Sequence, residues 1–373
     1  MDTRDKLKML ADASRYDLSC ACGTADEEHR RRGRDGAWLY PVTLASGGHS
    51  IMLKTLLSNA CSNDCKYCPF RGEADTPRCT LQPREIADVF MDYVRREGIF
   101  GLFLSSGVVG TPDRTMEMLN ATARILRSKH AYRGYIHLKV IPGASNAAIE
   151  EALGLASAVS INIETPGKRH FDLLSARKNY EQDIIRPLKL ISEKTAPGAR
   201  FERVRKTTQF IVGAADELDR EIVRYTFGLY QRLRLNRVYF SAYQRGLGSP
   251  DIPGERRTEA QPEQRFLREH RLYQVDFLFR KYHFAEEDIP FDSNGNLLMD
   301  RDPKLAWADR HPERFPVRAN TAGRDDLLRV PGLGPTTVSA ILKIRAQQRL
   351  RRIEHIPLKG KRLALAGAYL AFD

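Results

Sequence analysis

Within the stretch ACSNDCKYCPF, residues 60 to 70, Cys61, Cys65 and Cys68 place three of the chain's six cysteines in eight positions. Thiolates are soft ligands for zinc and for iron–sulfur clusters. A structural zinc site needs four ligands, and CxxxCxxC supplies three. Three thiolates can instead hold three corners of a four-iron, four-sulfur cubane and leave the fourth iron open to an exchangeable ligand, which is where chemistry would occur. A zinc or purely structural site completed by a ligand from elsewhere is the competing reading.

The remaining cysteines carry less. SCACG sets Cys20 and Cys22 two apart, too close for an ordinary unstrained disulfide, and Cys79 stands alone. Cys20 and Cys22 with His29 could form an auxiliary metal site, but free cysteines commonly act as small buried hydrophobes. No role is assigned to them.

A second constellation lies near the C-terminus, in PVRANTAGRDDLLRVPGLGPTTVSAILKIR. Leu327, Leu328 and Val330 end one helix, Pro331 to Gly334 form a tight turn, and Val338, Ile341, Leu342 and Ile344 give the next helix its apolar face. Gly332 and Gly334, flanking Leu333, let backbone approach a phosphate closely, and the amides opening the second helix would point at it. Arg329, Lys343 and Arg345 would add charge. This stretch resembles a helix-hairpin-helix module, a DNA-binding element that contacts phosphates and reads no sequence. IPLKGKRLALAGAYL is a weaker echo of the same pattern. A small helical domain that docks protein is the alternative.

Charge favours the polyanion. The formal net charge is +13, and residues 317 to 373 hold eleven Lys and Arg against four acids, an excess of seven. No apolar run approaches the ~18 residues of a membrane span, so membrane is not the expected partner. The N-terminus lacks a signal-peptide core, and a cytoplasmic protein is expected, in which cysteines point to metal or redox chemistry more than to disulfides.

These residues need a scaffold. From 50 to 245, the runs SIMLKTLL, GLFLSS, YIHLKVI, AVSINIE, TTQFIVG and RVYFSAY alternate with helical segments, which reads as a parallel α/β sheet or barrel. Several runs have one apolar and one polar face: Ile136, Leu138 and Val140 oppose His137 and Lys139, and Val238, Phe240 and Ala242 oppose Tyr239, Ser241 and Tyr243. A polar interior implies an open or partial barrel that holds a ligand, since closed eight-stranded barrels fill with apolar side chains. His137, Lys139, Tyr239 and Tyr243 are therefore candidate substrate contacts. An antiparallel sheet with one wet face is the alternative.

The cysteine spacing, with Tyr67 before the last cysteine at the end of the first strand of a six-fold β/α pattern, resembles the radical S-adenosylmethionine (SAM) superfamily. The resemblance implies a [4Fe-4S] cluster on Cys61, Cys65 and Cys68, with SAM chelated to the open iron and cleaved to a 5′-deoxyadenosyl radical. Ser105, Ser106 and Gly107 stand where the superfamily holds the methionine amino group, though its acidic residue is absent. Asn162 and Glu164 stand where ribose hydroxyls are held. QFIVGAAD resembles GxIxGxxE, with Ile211, Gly213 and Asp216 in place and Gln209 replacing the first glycine, and VYFSAY would contact adenine.

Almost end to end, through KLKMLADASRYDLSC, GYIHLKVIPGAS, VSINIETP, REHRLYQVDFLFRKY and DPKLAWADRHPERFPV, the chain resembles the DNA modification/repair radical SAM proteins. The implied architecture is a partial (β/α)6 TIM-like barrel with a small all-α C-terminal helix-hairpin-helix domain. The expected organisation is an N-terminal extension at 1–49, the barrel at 50–245, a connector and helical extension at 246–316, and the DNA-binding domain at 317–373. DNA, an electron donor and a uracil-DNA-glycosylase-like protein are the implied partners. Modification of an RNA base, most plausibly in tRNA, and a DNA-bound redox sensor without turnover stay open.

Overall fold

The computed structural model describes residues 1–14, 31–33, 38–43, 48–257 and 263–372; Cys20, Cys22 and His29 lie outside them. The chain divides into two compact units, one of residues 1–217 and 228–269, the other of 218–227 and 270–373.

The first unit is built on an eight-stranded sheet with its strands in chain order. β1 (Arg31–Arg32), β2 (Trp38–Thr43) and β3 (His49–Leu56) pair antiparallel, and from β3 onward every pair is parallel: β4 (Gly101–Ser105), β5 (Tyr135–Lys139), β6 (Ala158–Ser160), β7 (Arg205–Val212) and β8 (Arg237–Ala242). The six parallel strands are the six runs legible in the sequence. The two antiparallel strands at the β3 edge are an addition, because the sequence before residue 49 shows no clear period-2 alternation. α1 (Thr3–Ala13) precedes the sheet.

Helices fill the crossovers that parallel pairing requires. They are α2 (Pro83–Glu97), α3 (Pro112–Ser128), α4 (Asn146–Leu155), α5 (Lys168–Phe171), α6 (Arg186–Lys194), which continues a π-turn at Tyr180–Ile185, and α7 (Asp219–Leu233). Their starts are encoded locally. Pro83 and Pro112 occupy first-turn positions, Thr111 Oγ accepts from Arg114 N, and Ser145 Oγ accepts from Ala148 N. α2 stops at Gly98, whose φ of 60° suits a residue without Cβ.

Alternation decides the sheet's two faces. Leu102, Leu104, Ile136, Leu138, Val159, Ile161, Val238 and Phe240 are buried, joined by Phe90 of α2 and Leu119 of α3 in the apolar core. β6 is shorter than AVSINIE suggests. The Thr208 hydroxyl accepts from Ile163 N at 2.9 Å and donates to Ile161 O at 2.7 Å, taking the place of ladder bonds. Pairing resumes only at Glu164, bridged to Phe210 with φ of 65°. A non-glycine residue held in the left-handed region is costly, and such strain gathers at functional positions. α8 (Pro253–Arg256) ends this unit's connector, and α9 (Glu263–Tyr282) contributes residues to both units.

In the second unit, α10 (Pro303–Arg310) precedes two short parallel strands, β9 (Val317–Arg318) and β10 (Leu370–Ala371). Between these lie α11 (Arg324–Arg329), α12 (Pro335–Arg345) and α13 (Gly360–Gly367) around a core of Leu327, Leu328, Val330, Leu333, Val338, Ile341, Leu350 and Ile356. Pro331–Gly334 turns the chain between α11 and α12, and residues 356–359 turn it again before α13. Gly332 is required: its φ is 84°, and a Cβ would sit 2.7 Å from Arg362 O. No helix among the described residues is long and apolar enough to cross a membrane.

Candidate functional site

The loop leaving β3 carries Cys61, Cys65 and Cys68 and is held mainly through its own carbonyls. One side chain, Arg78, donates to four: Asn59 O at 2.5 Å, Phe70 O at 2.9 Å, Arg71 O at 2.9 Å and Ala74 O at 2.8 Å. Arg71 adds Cys68 O and Leu247 O. Gly107 N donates to Ser58 O, and Ser62 N donates to Val108 O, which joins the loop to the segment after β4. A Cβ at Gly107 would lie 2.7 Å from Ala60 O and 3.1 Å from Cys61 Cβ, so no side chain fits there. Ser105 is buried, and Ser106 Oγ donates to Gly107 O.

Backbone amides point at the sulfurs. Asn63 N and Val108 N lie 3.4 and 3.3 Å from Cys61 Sγ, and Phe70 N lies 3.4 Å from Cys68 Sγ. Burial pushes the Cys65 and Cys68 thiols up, and each of the three sulfurs lies within electrostatic reach of the others. Half-buried thiols that repel one another as thiolates are relieved by a shared metal centre. Among the described residues no group of three His, Cys, Asp or Glu closes on a single metal ion. Three cysteines on one loop, with backbone amides directed at two of their sulfurs, suit three corners of a cubane. A cavity of about 290 Å³ opens beside Cys61, walled by Asp64, Glu73 and Arg177.

The residues expected to hold a cofactor meet this loop. Tyr67 donates its hydroxyl to Glu164 Oε1 at 2.6 Å, and Asn162 Nδ2 lies 3.4 Å from Glu164 Oε2. Burial, then the Glu164 charge, drives the Tyr67 phenol well above its ordinary value, so it stays a donor. Ile211 packs with Leu174, Ala214, Ala215, Tyr243 and Ile252, with Tyr67 against them. Gly213, at φ 89°, donates its amide to Glu217 Oε1 at 2.5 Å. Asp216, the acid matched in sequence to GxIxGxxE, pairs instead with His170 Nδ1 at 2.6 Å. The buried carboxylate that closes this turn belongs to Glu217, one residue on.

Among the polar strand residues, His137 is buried with Nε2 2.9 Å from Ser160 Oγ and its ring 4.4 Å from Phe103. Tyr243 is buried and closes its hydroxyl on Glu255. Lys139 and Tyr239 keep partial exposure. Lys54 of β3, unremarked in the sequence, lies buried with Nζ 4.9 Å from the Phe103 ring centre.

In the second unit, Arg329 pairs with Asp288 at 2.9 Å and lies 3.8 Å over the Phe284 ring, and Arg345 donates to Ala319 O and Ala322 O. Both guanidiniums are thus engaged inside the unit, while Lys343 is exposed. Arg362, within the second echo IPLKGKRLALAGAYL, is exposed and donates to Gly332 O in the turn. Gly334 caps α12 without a side-chain acceptor.

The Radical SAM superfamily model matches residues 55–225, the stretch that runs from the end of β3 through the cysteine loop and β4 to β7. These residues are a radical SAM domain. The chain is a radical SAM enzyme, and its cofactors are a [4Fe-4S] cluster and SAM. No curated protein sequence matches it. Similar solved structures include the FeFe-hydrogenase maturase HydG from Carboxydothermus hydrogenoformans, at 14% identity and TM-score 0.49 over 84% of this chain and 80% of that one. Methylornithine synthase PylB is another, at 13% identity and TM-score 0.46 over 74% and 71%. At these identities nothing about substrate transfers to this radical SAM enzyme.

Proposed function

We propose that the enzyme acts on a nucleotide in DNA, with Cys61, Cys65 and Cys68 holding the cluster and a helix-hairpin-helix fold at residues 317–373 gripping the DNA backbone. When bound, cluster and SAM supply a 5′-deoxyadenosyl radical able to abstract hydrogen. The chain's own residues orient and shield. Glu164, kept in place by Tyr67 and Asn162, would hold the ribose hydroxyls, the backbone of Ser105, Ser106 and Gly107 would hold the methionine amino group, Ile211 and Gly213 would line the cofactor site, and the backbone of VYFSAY would contact the adenine. Lys139 and Tyr239, each half-buried on the polar faces of β5 and β8, are favoured for substrate contact.

The DNA reading rests on the charge of the C-terminal fold. Of its eleven cations, nine are exposed, and the two that are not are Arg329 and Arg345, paired with Asp288 and with Ala319 O and Ala322 O. The α11–turn–α12 pair, an α12 start with no side-chain cap and a left-handed turn glycine support phosphate contact through backbone amides. Sites beside a buried cluster require the target base to leave the duplex. The cluster also calls for an external electron donor and a reducing compartment, which supports a cytoplasmic setting. A uracil-DNA-glycosylase-like protein would be a further partner, supported only by the family resemblance.

The test is anaerobic. The reconstituted protein is reduced with dithionite, given SAM with DNA, with RNA or alone, and 5′-deoxyadenosine is quantified. Formation that rises with DNA supports the reading. Stimulation by RNA alone transfers it to an RNA base, and an intact cluster with no 5′-deoxyadenosine under any condition favours a redox sensor. Lys139→Met should keep SAM cleavage while abolishing substrate turnover.

A further inference from the structure

A lysine lies among the thiols. Lys178 is 8% exposed, hydrogen-bonded to Cys65, within electrostatic reach of Glu164 and Cys68, and 5.2 Å from the centre of the Phe171 ring. An ammonium is buried at a cost unless something negative meets it, and here the partner is a candidate cluster ligand.

Its placement is built from both sides of Cys65. Asp64, the preceding residue, accepts from Ser175 Oγ at 2.5 Å, Ala176 N at 2.8 Å and Arg177 N at 3.1 Å. Lys66, the following one, donates its amide to Leu174 O at 2.8 Å. Lys178 N in turn donates to Ser175 Oγ at 3.3 Å. The turn from 174 to 178 is therefore fastened to the residues flanking Cys65, and its last side chain returns to the Cys65 sulfur.

We infer that Lys178 is a positioning residue that fixes a positive charge beside Cys65 and so sets the potential at which the cluster accepts its electron. The inference rests on Cys61, Cys65 and Cys68 being the cluster ligands. Reduction adds one electron from an external low-potential donor and makes the cluster with its thiolates one unit more negative. A fixed cation, and a hydrogen bond to a ligand sulfur, favour that more negative state, so Lys178 raises the reduction potential. Glu164 lies within electrostatic reach of the same ammonium, after Cys65, and moderates this field.

The experiment is an EPR-monitored redox titration of the anaerobically reconstituted full-length protein, with dithionite as reductant and no SAM, alongside iron and sulfide analysis. Lys178→Met should retain the parent's iron content and titrate at a more negative midpoint, and Lys178→Arg should titrate with the parent. An unchanged midpoint in Lys178→Met overturns the inference, as does a shift that appears only when SAM is added. If Lys178→Met loses iron, Asp64→Asn, which loosens the turn, is titrated instead: a negative shift supports the inference, while an unchanged midpoint or loss of its iron as well overturns it. A parent protein that takes up no cluster would fail the ligand assignment itself, a separate result.

Discussion

Single side chains at this site act by closing on one another. Tyr67 and Glu164 meet across 97 residues of chain, and the bond leaves a buried carboxylate satisfied. Tyr67→Phe removes the donor and should cost about 1–3 kcal/mol, the penalty for an unmet buried acceptor, read as a lower urea midpoint at unchanged slope. A second residue-scale prediction concerns pH. Burial, partly opposed by Asp302 and reinforced by Arg362 and Arg329, brings Lys304 down to about 7; its Nζ donates to Leu333 O at 2.7 Å. Its folded-state value lies below the ~10.4 of a free lysine, so the unfolded chain binds the extra proton between the two values. Stability should therefore rise with pH across that window. Lys304→Met should flatten the rise, seen by comparing urea midpoints of the two proteins at pH 7 and pH 9.

At the scale of elements, the cysteine loop has no regular structure of its own, and Arg78 replaces a ladder by donating to four of its carbonyls. Arg78→Gln cannot reach all four. It should lower stability by at least about 1.5 kcal/mol, the value of one charged hydrogen bond, and reduce iron bound per chain after reconstitution. The turn between α11 and α12 depends on Gly332, whose φ is 84° and whose absent Cβ leaves room for Arg362 O. Gly332→Ala should destabilise the second unit by more than the ~1–2 kcal/mol of a left-handed residue, measured by thermal unfolding, since a backbone clash is added. Strand alternation foretold the buried face of β5 and β8 faithfully. It did not foretell the break in β6, because the Thr208 side chain that interrupts the ladder comes from another strand.

For the whole molecule, charge is the property that reaches farthest. On the proposed DNA reading, the nine exposed cations of the C-terminal fold should make affinity fall steeply with salt, since released counterions set the slope. A triple variant of Lys343→Gln, Lys359→Gln and Lys361→Gln should weaken binding across sequences and reduce the slope by up to about 0.9 for each phosphate no longer neutralised, as measured by fluorescence anisotropy from low to high salt. An unchanged slope would place the DNA-binding surface elsewhere.

What the sequence determined alone is whatever needs only neighbours. The three-cysteine spacing, the period-2 faces of the strands, the proline and glycine marks at helix ends and the PGLG turn all depend on a few consecutive residues, because side-chain alternation and backbone dihedrals are local. Only the tertiary structure decided the rest. It chose Glu217 over Asp216 to hold Gly213, engaged Arg329 and Arg345 internally while exposing Arg362 at the turn, and carried Asp64 to Ser175 across 111 residues so that Lys178 meets Cys65. Each of these depends on which strands become neighbours and how far each side chain reaches once they do, and no window of consecutive residues contains that information.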